Sequence, residues 1–115
     1  MRHSTIRNGR RLIWNTQSLW DQARGLERFE LEVESVPELD SDCWFDNEKP
    51  PTLRRVAEHC RRILESTEEF PVILNDDGSL MDGGHRLCRA LIEGKTTVTA
   101  VQFKVMPMPD KNLPA

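Results

Sequence analysis

The sequence predicts a mixed α/β (α+β) fold, a small domain in which a short mixed sheet carries two main helices. Residues 70–74 form a continuous apolar run of strand length, and residues 53–64 repeat apolar positions on one helical face. A glycine-rich corner at residues 82–84 separates a short strand from a second helix. The 115 residues have the length of one domain with one core.

Composition and charge are those of a water-soluble protein. The net charge of −3 gives no global basic field of the kind on which a non-specific nucleic-acid binder relies. No stretch has the apolar length of a membrane span, so we expect no membrane association. Cys43, Cys60 and Cys88 are odd in number and lack CxxC spacing, which favours buried, reduced thiols and a cytoplasmic protein.

Residues 1–28 are predicted to form an N-terminal tail and a short helix. Four arginines make the first 13 residues basic: Arg2, Arg7, Arg10 and Arg11. Because little apolar surface accompanies them, a loosely ordered tail is favoured over a phosphate- or nucleic-acid-binding arm. Asn15 or Thr16 is expected to cap a helix that ends at Gly25.

A half-buried strand is predicted at residues 29–36, because apolar and acidic side chains alternate there. Pro37 ends the strand and an acidic segment follows. Trp44 and Phe45 are adjacent aromatic residues within this polar segment. We expect them to close over the core, with contact to a nucleobase or substrate as the alternative.

A helix is predicted from a cap at Thr52 to Ser66. Its apolar positions fall on one face, which is expected to pack onto the sheet: Leu53, Val56, Ala57, Cys60, Ile63 and Leu64. The other face is charged, with arginine in excess. A solvated face is the favoured interpretation, and a nucleic-acid or protein-docking surface is the alternative.

Residues 70–103 are predicted to form strand, turn, short strand, corner, helix and strand in that order. Asp82 is expected to cap the helix, which begins at Gly83 or Gly84 and is closed by Gly94. Residues 104–115 are rich in proline and are predicted to be an extended or disordered tail.

The corner is also a candidate phosphate site formed by Asp82, Gly83, Gly84, His85 and Arg86. Two glycines let a ligand approach the backbone, and the start of a helix offers free N–H groups to an anion. His85 and Arg86 add two side-chain donors. The structural alternatives are a cap for Asp82, a bend for the glycines and a packing role for His85.

The strand, the Asp-Asp-Gly turn, the Met-Asp-Gly-Gly-His-Arg corner and the following helix together resemble the ParB/sulfiredoxin superfamily, over roughly residues 30 to 103. Its members include the nucleotide-binding domain of the chromosome-partitioning protein ParB, sulfiredoxin and a free-serine kinase. The resemblance implies a nucleotide-binding fold whose turn and helix N-terminus hold phosphates. It also implies Mg²⁺-dependent nucleotide hydrolysis or phosphoryl transfer if the chain is an enzyme.

The serine-kinase relative suggests catalytic residues as well. Its catalytic base is an acidic residue just beyond the first strand, where this chain has Glu38 and Asp40. The resemblance therefore implies Glu38 or Asp40 as base or Mg²⁺ ligand, with His85 as a further catalytic candidate. The structural alternative is a solvated acidic loop.

Two departures narrow the resemblance. Sulfiredoxin has its reactive cysteine where this chain has Gly84, so reduction of a sulfinic acid is not expected. ParB continues into a helix-turn-helix module, whereas twelve residues follow Phe103 here, so DNA binding by this chain alone is not expected. The alternative function is a non-catalytic protein- or nucleic-acid-interaction module that keeps the fold. A protein partner or a homodimer stays open.

Overall fold

The computed structural model describes residues 2–67 and 69–115 and is built on a four-stranded sheet. In spatial order its strands are β3 (Phe29–Glu32), β6 (Thr97–Gln102), β4 (Val72–Leu74) and β5 (Leu80–Asp82). β4 and β6 are parallel, and the other neighbours are antiparallel. A parallel pair needs a crossover connection, which here contains β5 and the helix α3 (Gly84–Ile92). The predicted mixed α/β fold with a short mixed sheet is confirmed.

A second, antiparallel sheet joins the two ends of the chain. Its strands are β1 (Arg2–Arg7), β2 (Arg10–Asn15) and β7 (Lys111–Pro114), with β2 in the middle. Asn8 and Gly9 have φ of 53° and 73°, and positive φ at both central residues is what a type I′ hairpin turn requires. The prediction of loose tails is therefore wrong for these strands. The basic composition concealed the Asn-Gly hairpin signal, and β7 obtains its hydrogen-bond partners from a strand distant in sequence.

Three α-helices lie within the described residues, as predicted. The side chain of Asn15 accepts backbone N–H bonds at the start of α1 (Thr16–Ala23), and Thr52 does the same for α2 (Leu53–Glu65). The third helix, α3, follows the glycine corner. No helix in this part of the chain is long and apolar enough to cross a membrane.

The four-stranded sheet is covered on both faces, because side chains alternate between them along each strand. The α3 side holds one core cluster: Val33, Val36, Val72, Leu74, Leu87, Ala90, Val98 and Ala100. The α1 side holds a second cluster: Trp14, Leu19, Ala23, Ile73, Met81, Val101 and Phe103. Trp14 is 1% exposed and donates from Nε1 to the carbonyl oxygen of Pro107 at 3.0 Å. Both chain ends therefore pack against residues 29–103.

The strand predicted at residues 29–36 is shorter in the structure. β3 ends at Glu32, and residues 33–40 form two 3₁₀ turns instead. Val33 and Val36 are both buried, since a three-residue spacing places them on the same side of a 3₁₀ turn. This arrangement also turns Glu38 back toward the sheet.

The packing of α2 contradicts the sequence-based expectation. None of its residues is buried, and Leu53 and Leu64 are 91% and 73% exposed. The prediction that its apolar face packs onto the sheet is therefore wrong, and so is the burial expected for Cys60 and Cys43. Periodicity establishes that an amphipathic helix exists, whereas its rotation about its own axis depends on tertiary contacts.

Polar contacts to α3 hold α2 in place. His59 Nδ1 and His85 Nε2 are 2.8 Å apart in a hydrogen bond. The guanidinium of Arg89 donates to the carbonyl oxygens of Leu64 and Ser66 at 2.7 and 2.6 Å. These bonds turn the polar side of α2 toward the rest of the protein.

We predict that Gly83→Ala destabilises the fold by about 2–4 kcal/mol, because the methyl group adds both backbone strain and overpacking. Gly83 has φ of 111°, and a Cβ there would lie 3.0 Å from Val72 Cα. Chemical denaturation would measure the change. Gly25→Ala is the control, since no atom lies within 4 Å of its Cβ position. Equal stability of the two variants would contradict this assignment.

Candidate functional site

The glycine corner leaves the N-terminus of α3 without a side-chain cap. Gly83 is the N-cap residue, in a left-handed conformation, and no side chain within the described residues bonds to this helix start. The prediction that Asp82 caps α3 is wrong. Its carboxylate instead accepts a hydrogen bond from Trp20 Nε1 at 2.8 Å. A tertiary partner thus displaces the local cap, and the first N–H groups of α3 stay available to a ligand.

This helix start opens into a cavity of about 1060 Å³. Its walls are the β1–β2 hairpin, the loop that precedes α2, the inner side of α2 and the corner itself. The cavity gathers seven of the residues singled out from sequence: Glu38, Trp44, Phe45, Asp82, Gly83, Gly84 and His85. Residues from three separate segments of the chain therefore meet at one place.

Two predicted site residues do not join this group. Asp40 is exposed and does not line the cavity. Arg86 is 6% exposed and lines a different cavity, together with Arg89. Successive helical side chains point about 100° apart, so His85 and Arg86 face different sides of α3 despite being neighbours. The structure does not bring their side chains together.

Four cations line the same cavity, and the sequence did not predict that they lie beside the corner. They are Arg11 from β2, Lys49 from the loop, and Arg55 and Arg62 from α2. None of the four has a carboxylate within ion-pair distance in the part of the chain that the structure describes. The basic N-terminus and the arginine excess of α2 were the sequence signals, and neither showed which side chains face the corner.

Most carboxylates of the cavity are occupied by donors of the chain itself. Asp42 and Asp46 accept backbone N–H bonds from their own loop. Asp82 accepts from Trp20. Glu58 lines the cavity as well, so five carboxylates lie beside its four cations. The hydrogen bonds occupy acceptor oxygens of Asp42, Asp46 and Asp82 without removing their charge.

An aromatic cluster forms another wall. The ring of Trp44 stacks on His59 and on His85, with centroids 4.3 and 4.6 Å away. Phe45 meets Trp44 edge-on at 6.4 Å. Trp44 and Phe45 are half-buried and border the cavity, so they are neither core residues nor fully exposed to solvent. His59 was missed from sequence, since a lone histidine on a charged helix gives no signal.

The two histidines are held in their neutral form. The pKa of His85 is lowered to about 4, chiefly by burial, with His59 and Arg62 contributing in the same direction. Burial also lowers the pKa of His59, with a contribution from Arg62. A neutral imidazole both donates and accepts, so the 2.8 Å bond between the rings is satisfied without a net charge.

Of the two acidic candidates Glu38 and Asp40, Glu38 lines the cavity. Its Oε1 accepts the backbone N–H of Leu80 at 2.8 Å. Its Oε2 is buried and has no hydrogen-bond partner within the described residues. In the same part of the chain, no group of three acidic, histidine or cysteine side chains is arranged to hold a metal ion.

Comparisons with known proteins found no matching family model, no similar curated protein and no similar solved structure. The resemblance to the ParB/sulfiredoxin superfamily stays a prediction that rests on the corner motif and the order of elements. The chemistry of the cavity is therefore argued from its own geometry.

We predict that the protein loses stability as the pH falls from about 6.5 to about 4. In the unfolded chain His85 takes up a proton near its ordinary pKa of 6.5, whereas in the folded protein it resists protonation until about pH 4. Stability is therefore complete above this range and is lost within it. After allowance for solvent screening, the loss is about 1 kcal/mol.

Denaturation as a function of pH would test this. In His85→Gln the slope between pH 6.5 and 4 should become flatter. The lowered pKa values of Asp76 and Asp77 act below their ordinary value of 3.8, outside this range. An unchanged slope in His85→Gln would refute the assignment.

Proposed function

We propose that this protein binds a phosphate-bearing ligand, and specifically a nucleotide, in the cavity at the N-terminus of α3. One observation carries the proposal. An uncapped helix start opens into a cavity of about 1060 Å³ lined by four cations, none of which forms an ion pair with a carboxylate of the described residues. Backbone N–H groups, the helix dipole and guanidinium groups are the donors that phosphate groups bind best.

The arginines of α2 supply the charge in this proposal. Arg62 is close enough to lower the pKa of both His59 and His85, so its positive charge acts at the corner itself. Arg55 lies two turns earlier on the same side, and its guanidinium donates a long hydrogen bond of 3.4 Å to the carbonyl oxygen of Pro50. Arg11 reaches the cavity from the opposite wall.

The aromatic wall favours a nucleotide over inorganic phosphate. Trp44 and Phe45 border the cavity and offer aromatic surface beside the cations. Every nucleobase has a π-face that stacks on such rings. A cavity of this volume also exceeds what a phosphate group alone would fill.

A second candidate function, nucleotide hydrolysis or phosphoryl transfer, is favoured by Glu38. Its carboxylate lines the same cavity, and no donor in the described part of the chain is bonded to Oε2. A general base in that position would take the proton from the attacking water or hydroxyl group. Asp40 lies outside the cavity, so Glu38 is the base we propose.

Mg²⁺ would accompany the nucleotide in this second function. Because no three-ligand cluster exists in the described residues, the ion would be held mainly by phosphate oxygens, with Glu38 as a protein ligand. It would neutralise charge on the phosphates. The non-catalytic interaction module remains the alternative to an enzyme, and the exposed apolar surface of α2 favours it.

We predict that Arg55→Ala and Arg62→Ala each weaken nucleotide binding about tenfold, because each removes a charge-assisted contact. Thermal shift with ATP, CTP, GTP and inorganic phosphate, each with and without Mg²⁺, would measure binding, since a ligand of the folded state raises its stability.

The matched control for these variants is Arg24→Ala. Arg24 is on α1's exposed end, so this variant loses the same charge outside the cavity. Arg86→Ala is a poorer test, because the Arg86 side chain is buried and its loss would disturb packing. Binding that is equally strong in Arg55→Ala, Arg62→Ala and Arg24→Ala would refute the proposed site.

If the protein turns over a nucleotide, we predict that Glu38→Gln lowers the rate at least 100-fold while binding persists. The glutamine oxygen can still accept the Leu80 N–H, so the loop keeps its position. Asp40→Asn is the control and should keep the wild-type rate. Product release at saturating nucleotide is the measurement, and nucleotide binding without turnover in the wild type would favour the non-catalytic module.

A further inference from the structure

An apolar stripe on α2 lies uncovered in the monomer. We call Leu53, Ala57, Cys60 and Leu64 the α2 stripe; they are spaced i, i+4, i+7 and i+11 and share one helical face. All four are exposed, and Leu53 is 91% exposed. The helix contacts the rest of the protein through the side that carries His59, about 130° away around its axis. A continuous exposed apolar surface of this kind marks an interaction site.

We propose that a second copy of this chain covers the α2 stripe, with the two α2 helices packed antiparallel about a two-fold axis. The stripe reads large, small, small, large, and it reads the same in the opposite direction. Antiparallel packing therefore places Leu53 against Leu64 of the second copy and Ala57 against Cys60 of the second copy. A symmetric interface requires this reciprocity. The small central residues allow the helix axes to approach closely.

Charges along one border of the stripe match the same arrangement. They alternate in sign along the helix: Arg54, Glu58, Arg61 and Glu65. All four are exposed, and none forms an ion pair within the described residues. An antiparallel copy brings Arg54 opposite Glu65, and Glu58 opposite Arg61. In a parallel pair this border would face the opposite border of the second helix, so these charge pairs form only in the antiparallel pair.

The size of the surface indicates a weak dimer. The 13 residues of α2 span about 20 Å. The pair would bury roughly 1,000 Å² in total, the lower limit of specific interfaces.

The dimer leaves the candidate nucleotide cavity open. Arg55, Glu58, His59 and Arg62 of α2 line that cavity, whereas none of the four residues of the α2 stripe does. Substitutions in the stripe therefore test dimerisation without changing the ligand site, and failure of one property does not decide the other.

Sedimentation velocity between about 1 µM and about 500 µM would test the proposal, a range that spans weak dimer affinities. The wild type should shift from the 13.3 kDa monomer to twice that mass as concentration rises. Leu64→Lys should stay monomeric, and a lysine near the C-terminus of a helix does not disturb the helix itself. Val105→Lys is the control, because Val105 is 82% exposed outside α2. A wild type that is monomeric throughout, or a Leu64→Lys variant that dimerises equally, would overturn the proposal.

Charge reversal tests the antiparallel register. Arg54→Glu and Glu65→Arg should each weaken dimerisation about tenfold, because each sets like charges opposite one another. An equimolar mixture of the two variants should recover wild-type affinity, since each end of the mixed pair again joins opposite charges. Circular dichroism would verify that both helices stay folded. Single variants that dimerise like the wild type would overturn the antiparallel arrangement.

Discussion

The close approach of Gly83 to Val72 is the constraint on which the rest of the structure depends. Val72 lies on a completely buried strand, and a Cβ on Gly83 would lie 3.0 Å from Val72 Cα. Only glycine, in a left-handed conformation, fits beside it. The contact determines where α3 begins and in which direction it runs. As a consequence Leu87 and Ala90 pack onto the sheet, while His85 and the free N–H groups of the first turn face the cavity.

The polar attachment of α2 gives that helix two different surfaces. Hydrogen bonds from His85 and Arg89 turn its histidine and two of its arginines inward. The apolar side of α2 lies about 130° around the helix axis from His59, so it points away from the core. The same rotation therefore supplies the cavity with positive charge and leaves an apolar stripe in solvent. An amphipathic helix normally buries its apolar face, and the exposed face here points to a contact outside the monomer.

The electrostatics of the cavity follow from which groups find partners within the chain. The histidine pair is neutral at physiological pH because burial opposes its protonation. Asp42, Asp46 and Asp82 are engaged by nearby donors. Arginine keeps its charge at every physiological pH, so the positive charges that line the cavity do not depend on titration of the histidines.

The sequence by itself determined the local elements of this protein. The caps at Asn15 and Thr52, the buried strand at residues 72–74 and the helix after the glycine corner all follow from periodicity and capping chemistry, which act over a few residues. The sequence also singled out the corner as a candidate anion site by its glycines and the helix start that follows them.

Only the tertiary structure decided how these elements face one another. In the tertiary structure β2 pairs with β7, about a hundred residues away, and α2 is rotated so that its apolar side lies outside. Asp82 accepts a hydrogen bond from Trp20 and does not cap the helix start. The fold also brings Glu38 to the cavity and directs Arg86 away from it. These outcomes depend on contacts between distant residues, which no local pattern in the chain encodes.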